Sequence, residues 1–411
     1  MPGMHSRTAA PEPLLYTLII QVPTPSMSST VLPRSASLTR IPSLDGLRAL
    51  SIFLVMALHT VQRFSVSHHV SLVWYAIFNG ETGVFIFFEI SGFLITSLLL
   101  QEHEKRGSIS LRGFYLRRAF RILPPLYLYI GVIVLLGLAG RLLLTRVDVV
   151  SALFFFHNIK GTDVMWSLEH LWSISVEEQF YLVWPFILVY CLRRPGHAGR
   201  VAASVVPCCI ILISPVLRVL LSRSADPALH HLGTGFFKFD FIMFGCLVAL
   251  LQHTSRFERI YQLAARRWWL APTVIAICSA LTARYQNYFE LPIGYTINAA
   301  AIAVFLLWCT RNPSSAPGRI LNWKPIVQIG VLSYSIYIWQ TLFLHPNNSQ
   351  VFGPMGRFGI WISTFPGNWP AILIAACLSY YVVEQPALRA RVRIIQGFHL
   401  YADRRRSRTV Q

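Results

Sequence analysis

Three groups of residues in this 411-residue chain combine side chains that could do chemistry. The first is SLDGLRALSIFLVMALHT, residues 43 to 60, where Asp45 and Arg48 precede an apolar run that ends at His59. On a helix Arg48 and His59 fall within about 20° of each other and about 16 Å apart along the axis, and Asp45 lies about 40° to the other side. The three share one stripe, with a fixed positive charge at one end and, at the other, a group that exchanges a proton near neutral pH. The stripe reads either as the wall of a polar path, or as an interfacial Asp45–Arg48 pair plus a histidine bonded to a neighbouring helix. The second group is RGFYLRRAFRILPPLY, residues 112 to 127. It places Arg117, Arg118 and Arg121 within about one helical turn. Guanidinium forks suit phosphate, and the same residues also suit a plain positive anchor at the membrane surface. The third is HLWSISVEEQFYLVWP, residues 170 to 185, with adjacent Glu177 and Glu178 followed by Gln179. Ser175 and Glu178 fit a capping box, which accounts for one carboxylate and leaves its neighbour unexplained.

The elements that must carry these residues are membrane helices. The chain is 54% hydrophobic and only 13% charged, against about 25% charged in a soluble protein. Its apolar runs recur at the roughly 17 to 25 residues needed to cross a hydrocarbon core. The fold class expected is an all-α polytopic integral membrane protein with about ten transmembrane helices, near residues 46–62, 83–100, 125–141, 170–191, 202–221, 236–252, 268–283, 292–310, 325–344 and 369–385. Residues 1–41 read as a disordered Pro/Ser/Thr-rich extension, 42–386 as the transmembrane domain and 387–411 as a basic cytoplasmic tail. The apolar LLYTLIIQV, 14 to 22, is too short to span and lacks the flanks of a signal peptide.

Charge decides the topology. With both termini in the cytoplasm and the short stretch VDVVSALFFFHN (147–158) not crossing, the inside segments hold 26 Lys and Arg and the outside segments 7, leaving Arg48, Arg218 and Lys238 within spans. That asymmetry is the positive-inside pattern, and it accounts for the net charge of +19 without nucleic acid, for which the chain offers no soluble module. In this arrangement Glu177 and Glu178 are expected at the depth of His59. Arg218, Lys238 and Asp240 fall near outer helix ends, either as structural ion pairs or as the wall of a polar pocket. The seven cysteines lie mostly in apolar runs without metal or redox spacing, and no metal is expected.

In order along the chain, LDGLRALSIFLVMALH, GVFIFFEISGFLIT (83–96), FYLRRAFRILPPLY, WSISVEEQFYLVWP, FDFIMFGCLVAL (239–250), SYSIYIWQTLF (333–343) and VVEQPALR (382–389) resemble the pattern of acyltransferase family 3, across residues 41 to 389. The family consists of membrane-bound O-acyltransferases that decorate cell-surface carbohydrates. The resemblance implies a ten-helix core in a bacterial cytoplasmic membrane that moves an acyl group, usually acetyl, from cytoplasmic acyl-CoA to a hydroxyl of a carbohydrate or glycolipid. It implies that Arg48 and His59 are the functional pair, that Arg48, Arg117, Arg118 and Arg121 bind the donor, and that Glu177 and Glu178 join His59 in catalysis. Asp45, Arg218 and Asp240 are weaker candidates for substrate contacts. His59 would deprotonate the acceptor and a glutamate would orient the imidazole. The pantetheine arm of CoA is about as long as the Arg48–His59 separation, so the thioester could reach His59 from phosphates held inside. Phe85 stands where the family is often polar, Glu89 where it is often aliphatic, and Gln340 where many members have histidine. Members with a soluble esterase-like domain carry it after the last span. Here a second transfer step would fall to a separate extracytoplasmic partner. A reading from another class is a transporter of a sugar-lipid intermediate, which would often show internal repeats or Gly/Pro-broken spans.

Overall fold

The computed structural model of the chain describes residues 41–65, 71–159, 165–226, 229–230, 233 and 238–393. The extension expected over 1–41 lies, except for Ile41, outside the described residues, as does the end of the basic tail from 394 onward. Every regular element among the described residues is helical. The main ones are α1 (Pro42–Ser65), α2 (Gly80–Arg106), α3 (Leu111–Leu138), α4 (Leu171–Cys191), α5 (His197–Ser222), α6 (Phe239–Leu251), α7 (Leu270–Tyr285), α8 (Tyr295–Arg311), α9 (Lys324–Leu344) and α10 (Asn368–Ser379). Each coincides with one of the apolar runs of the sequence.

Seven helical stretches among the described residues are long and apolar enough to cross a membrane: Pro42–Ser65, Leu72–Arg106, Leu111–Leu138, His197–Ser222, Asn287–Arg311, Lys324–Leu344 and Asn368–Arg393. The helices α6 and α7 are apolar but shorter. The remaining helix, α4, is 21 residues long and carries Glu177, Glu178 and Gln179. The stretch within 147–158 forms a helix of only 8 residues, Arg146–Leu153, closed by a Thr145/Asp148 capping box. That is about 12 Å of helix against a hydrocarbon core of about 30 Å.

Helices meet where small residues let backbones approach, as bilayer packing favours. A Cβ on Gly330 of α9 would collide with the Asp45 carbonyl of α1, and Cβ atoms on Gly92 of α2 and Gly245 of α6 would collide with the Ile242 and Glu89 carbonyls across that interface. The α2–α6 pair runs in one direction, with Phe85 stacked on Phe241 at 3.7 Å between ring centroids. That stacking, with Tyr295 edge-on at 5.3 Å, explains an aromatic residue at position 85. Helix α1 sits between α9 and α2, and α10 packs on α9 while reaching α1 through Trp369, which donates to Thr60 Oγ1 at 3.1 Å.

One cap differs from expectation. Helix α4 begins at Leu171 behind His170, four residues before Ser175. The Ser175 hydroxyl instead donates back to the Leu171 carbonyl at 3.0 Å, and Glu178 lies in the third turn, clear of any capping role. Gln179 acts structurally. Its Nε2 donates to Phe155 O at 2.8 Å and Asn158 Oδ1 at 3.0 Å, pinning the loop after Arg146–Leu153 to α4.

Candidate active site

Five helices build one cavity of about 90 Å³ inside the bundle, its wall largely apolar but holding a cluster of charged and hydroxyl groups. Arg48 enters from α1, Ser91 from α2, Arg118 and Arg121 from α3, and Ser173, Glu177, Glu178 and Tyr181 from α4. Ser333, Tyr334 and Tyr337 of α9 complete the polar lining. Helical spacing explains the set from α4. Ser173, Glu177 and Tyr181 recur every four residues and so share one face, the face α4 turns inward.

Carboxylates in and beside this cavity face its guanidiniums, with Glu384 also within electrostatic reach of Arg121. Arg48 donates to Asp45 Oδ1 at 2.9 Å, so Asp45 serves the cavity through its arginine rather than by lining it. That leaves Arg118 and Arg121 facing Glu177 and Glu178. Glu177 accepts from Ser91 Oγ at 2.8 Å, and the Tyr181 hydroxyl donates to the same serine at 2.9 Å. Arg118 lies 5.2 Å from the Tyr181 ring centre and 5.8 Å from that of Phe114, which fixes its plane. Glu178 Oε1 is buried with no hydrogen-bond partner. A buried carboxylate oxygen without a donor is costly, and such groups recur where a ligand completes the set.

The structure separates other residues from this group. Arg117 points to Glu102, at 3.0 Å, and does not line the cavity. His59 does not line it either. Its Nδ1 lies 3.0 Å from Gln62 Oε1. With the proton on Nδ1, that contact leaves the Nε2 lone pair available as a base. The expectation that the glutamates reach the depth of His59 is corrected: they share the level of Arg48, and Glu177 is held by Ser91 and Tyr181 rather than by the imidazole. The neighbourhood of His59 is instead the C-terminal end of α1. There Arg63 donates to His345 O at 2.8 Å and to Asn348 Oδ1 at 2.9 Å. Burial, with the nearby charges of His59 and Arg63, lowers the His345 imidazole to about 4.

Arg218 and Asp240 form a sealed pair away from the cavity. Their side chains are 1% and 0% exposed and meet at 2.7 Å. Arg218 also donates to Leu291 O and Thr296 Oγ1, both at 3.2 Å. The substrate-contact reading of these two gives way to the ion-pair reading. Lys238 likewise bonds Glu81 at 3.2 Å and lies 5.0 Å from the Trp172 ring centre. Asp240→Asn is therefore expected to destabilise the protein by about 3–5 kcal/mol through an uncompensated buried guanidinium, while the joint Arg218→Met, Asp240→Leu variant recovers most of the loss. Thermal denaturation in lipid nanodiscs reads both. Glu89 is fully buried, with neither carboxylate oxygen hydrogen-bonded, and does not line the cavity. Gln340 is buried against Thr341, at 2.7 Å.

Sequence reading missed Ser91, Ser173, Tyr181, Ser333, Tyr334 and Tyr337. The fourfold spacing around Glu177 was the available signal for two of them. The tyrosines of α9 carried only a three-residue spacing in an aromatic-rich helix, and that identifies nothing by itself.

A bundle of apolar helices closed around arginines, carboxylates and tyrosines defines a membrane-embedded protein with a charged internal site. Residues 41–383 match the family signature described as an acyltransferase domain, and the chain belongs to this family, acyltransferase family 3. The family is one of acyltransferases, which does not favour the transporter alternative. It is 31% identical over 392 residues to YrhL of Bacillus subtilis (strain 168), provisionally named a peptidoglycan O-acetyltransferase, covering 89% of this chain and 56% of that protein. It is 30% identical over 371 residues to the peptidoglycan O-acetyltransferase OatA of Listeria monocytogenes, covering 84% of this chain and 55% of that protein. The chain thus spans just over half the length of these relatives. No solved structure matches it.

Proposed function

We propose that this protein is a multi-pass O-acetyltransferase of the bacterial cytoplasmic membrane that moves an acetyl group from cytoplasmic acyl-CoA to a hydroxyl of a cell-wall carbohydrate. The names of its relatives make peptidoglycan the first acceptor to test. All ten main helices cross in this reading, with both termini inside, as the 26-to-7 division of Lys and Arg supports. The observation that carries the reading is the convergence of Arg48, Arg118 and Arg121 with Glu177 and Glu178 in one cavity of an otherwise apolar bundle.

The arginines of the cavity bind the donor's phosphates. Glu177 and Glu178 balance and orient the guanidiniums. The arm carries the thioester toward His59. There the acceptor hydroxyl gives its proton to Nε2, its oxygen bonds to the thioester carbon, the C–S bond breaks, and the departing thiolate takes the proton back from the imidazolium. A separate extracytoplasmic partner remains part of the proposal where the acetyl group must travel further.

The test uses the full chain in nanodiscs with radiolabelled acetyl-CoA and soluble peptidoglycan fragments. Label on the glycan, dependent on the protein, is the expected result. Failure to bind acetyl-CoA at all would sink the donor assignment. Binding with transfer only to another envelope glycan would replace the acceptor.

A further inference from the structure

Past the last main helix the chain stays helical. Asn368–Arg393 forms one helical stretch, with a π-helical turn at Tyr380–Glu384 that packs against α3. Glu384 is 3% exposed, accepts from Ser335 Oγ of α9 at 3.1 Å and lies within electrostatic reach of Arg121. Tyr334, beside that serine, donates to Ile122 O at 2.9 Å. Glu384 is therefore seated where Arg121, Ile122 and Tyr334 line the cavity. Arg391 follows it by seven residues, two helical turns. That spacing returns it to within about 20° of the same face, about 10 Å further along.

Contacts fix the direction of that step. Trp369, at the start of the stretch, bonds Thr60 near the end of α1. Glu384 meets Ser335 in the middle of α9, whose Gly330 lies at Asp45 near the start of α1. The stretch thus runs back toward the end of the bundle where α1 begins. Helix α2 starts beside Val55 and Leu58 of α1 and finishes at that same end, and Glu102 in its last turns pairs with Arg117 of α3. Arg117 lies one turn from Arg121 toward this end, and Arg391 lies two turns from Glu384 in the same direction. The charges nearest Arg391 are accordingly those of Arg117 and Arg121.

The other arginines here each face a carboxylate: Arg48 has Asp45, Arg117 has Glu102, Arg118 has Glu178 and Arg121 has Glu384. Arg391 is half-buried and has no ion-pair partner among the described residues. A guanidinium held beside like charges without a carboxylate is unfavourable until an anion arrives, and its planar fork suits phosphate. A plain positive anchor needs no such placement. Arg389 shows that alternative: it is exposed and donates to Gln385 Oε1, one turn away, at 2.9 Å.

We propose that Arg391 binds the 3′-phosphate of the CoA donor while the cavity arginines hold its diphosphate. This rests on the donor assignment above. In CoA the diphosphate joins the arm on one side to the nucleoside on the other, and the 3′-phosphate lies one ribose further from the arm. A donor whose arm runs along the Arg48–His59 line puts that phosphate on the opposite side of the cavity, toward the end of the bundle where Arg391 stands. The 3′-phosphate is a monoester carrying about two negative charges at neutral pH, the match for an uncompensated guanidinium. Arg391 then sets specificity, separating CoA thioesters from thioesters of the same arm that lack this phosphate.

The experiment measures binding of acetyl-CoA and of acetyl-3′-dephospho-CoA to the full chain in nanodiscs. Wild type is expected to hold acetyl-CoA about tenfold more tightly. Arg391→Ala is expected to weaken acetyl-CoA about tenfold and leave the dephospho donor within about twofold, which removes the preference. Arg389→Ala, which removes the same charge two residues away, is expected to change neither by more than about twofold. Equal weakening of both donors by Arg391→Ala, or equal weakening of acetyl-CoA by the two alanine variants, would show a general positive field and overturn the inference. Unchanged binding of both donors by Arg391→Ala would overturn it too, as the result expected if Arg391 instead holds a phospholipid headgroup phosphate. Wild type that binds both donors equally well would keep the donor assignment and remove this inference. Wild type that binds neither would remove both.

Discussion

Replacing His59 by alanine is expected to lower the turnover of acetyl transfer by about 10²–10⁴-fold, the usual contribution of a positioned general base. Acetyl-CoA binding should stay within a few-fold of wild type. The split follows from geometry: His59 bonds Gln62 at 3.0 Å and is absent from the lining that holds the arginines. A proton acceptor at the C-terminal end of α1 is needed when the acceptor hydroxyl attacks, and it is not needed while the donor's phosphates dock. Label transfer to glycan and equilibrium binding of acetyl-CoA, measured on the same nanodisc preparation, read the two halves. Normal turnover in His59→Ala would refute the catalytic line along α1. Loss of donor binding equal to the loss of turnover would move His59 into the donor site.

The helices were legible in the sequence because a membrane-crossing segment must satisfy its backbone internally and cover itself with apolar side chains, and both demands leave long runs. Each expected run falls on a helix. The largest shift at an end, for the third run, comes from amphipathic turns that continue a helix past the apolar run: α3 begins at Leu111, well before the expected start near 125. The Ser175 capping box failed for a related reason. The local sequence permits a start there, but His170, Leu171 and the aromatic contacts of Tyr129 and Tyr337 extend the helix upstream. Tertiary packing overrode the cap signal.

The site was half legible. Periodicity places residues around and along one helix, so the shared face of Arg48 and His59 follows from their spacing. It does not set one helix's height against another's. The depth of Glu177 relative to His59 depended on where α4 meets α1 through α2 and α9, and those registers are set by close contacts such as Gly330 at Asp45. Arg117 illustrates the same limit. It is a neighbour of Arg118 in sequence, but a rotation of about 100° on the helix turns it to Glu102 and out of the cavity. The buried Arg218–Asp240 pair posed a different problem. A charge pair near a helix end reads equally as a pocket wall or a clasp, and only the absence of solvent around both decides it.

That division among the arginines gives the second large effect. Arg118→Ala with Arg121→Ala is expected to weaken acetyl-CoA binding by about 10²–10⁴-fold, since each guanidinium would lose charge-assisted bonds worth about 1.5–3 kcal/mol. Arg117→Ala should cost no more than about threefold, because Arg117 already spends its charge on Glu102, at 3.0 Å, and has no place in the lining. The comparison separates a built phosphate site from a general positive field, as both variants remove charge from the same turn of α3. A field weakened by charge count would treat Arg117 and Arg118 alike, and equal losses on the two single substitutions would overturn the site. Arg118→Lys sharpens the point. It keeps the charge but lacks the planar fork that lies over Tyr181 and Phe114 at 5.2 and 5.8 Å. A bidentate site should therefore leave the lysine variant closer to alanine than to wild type.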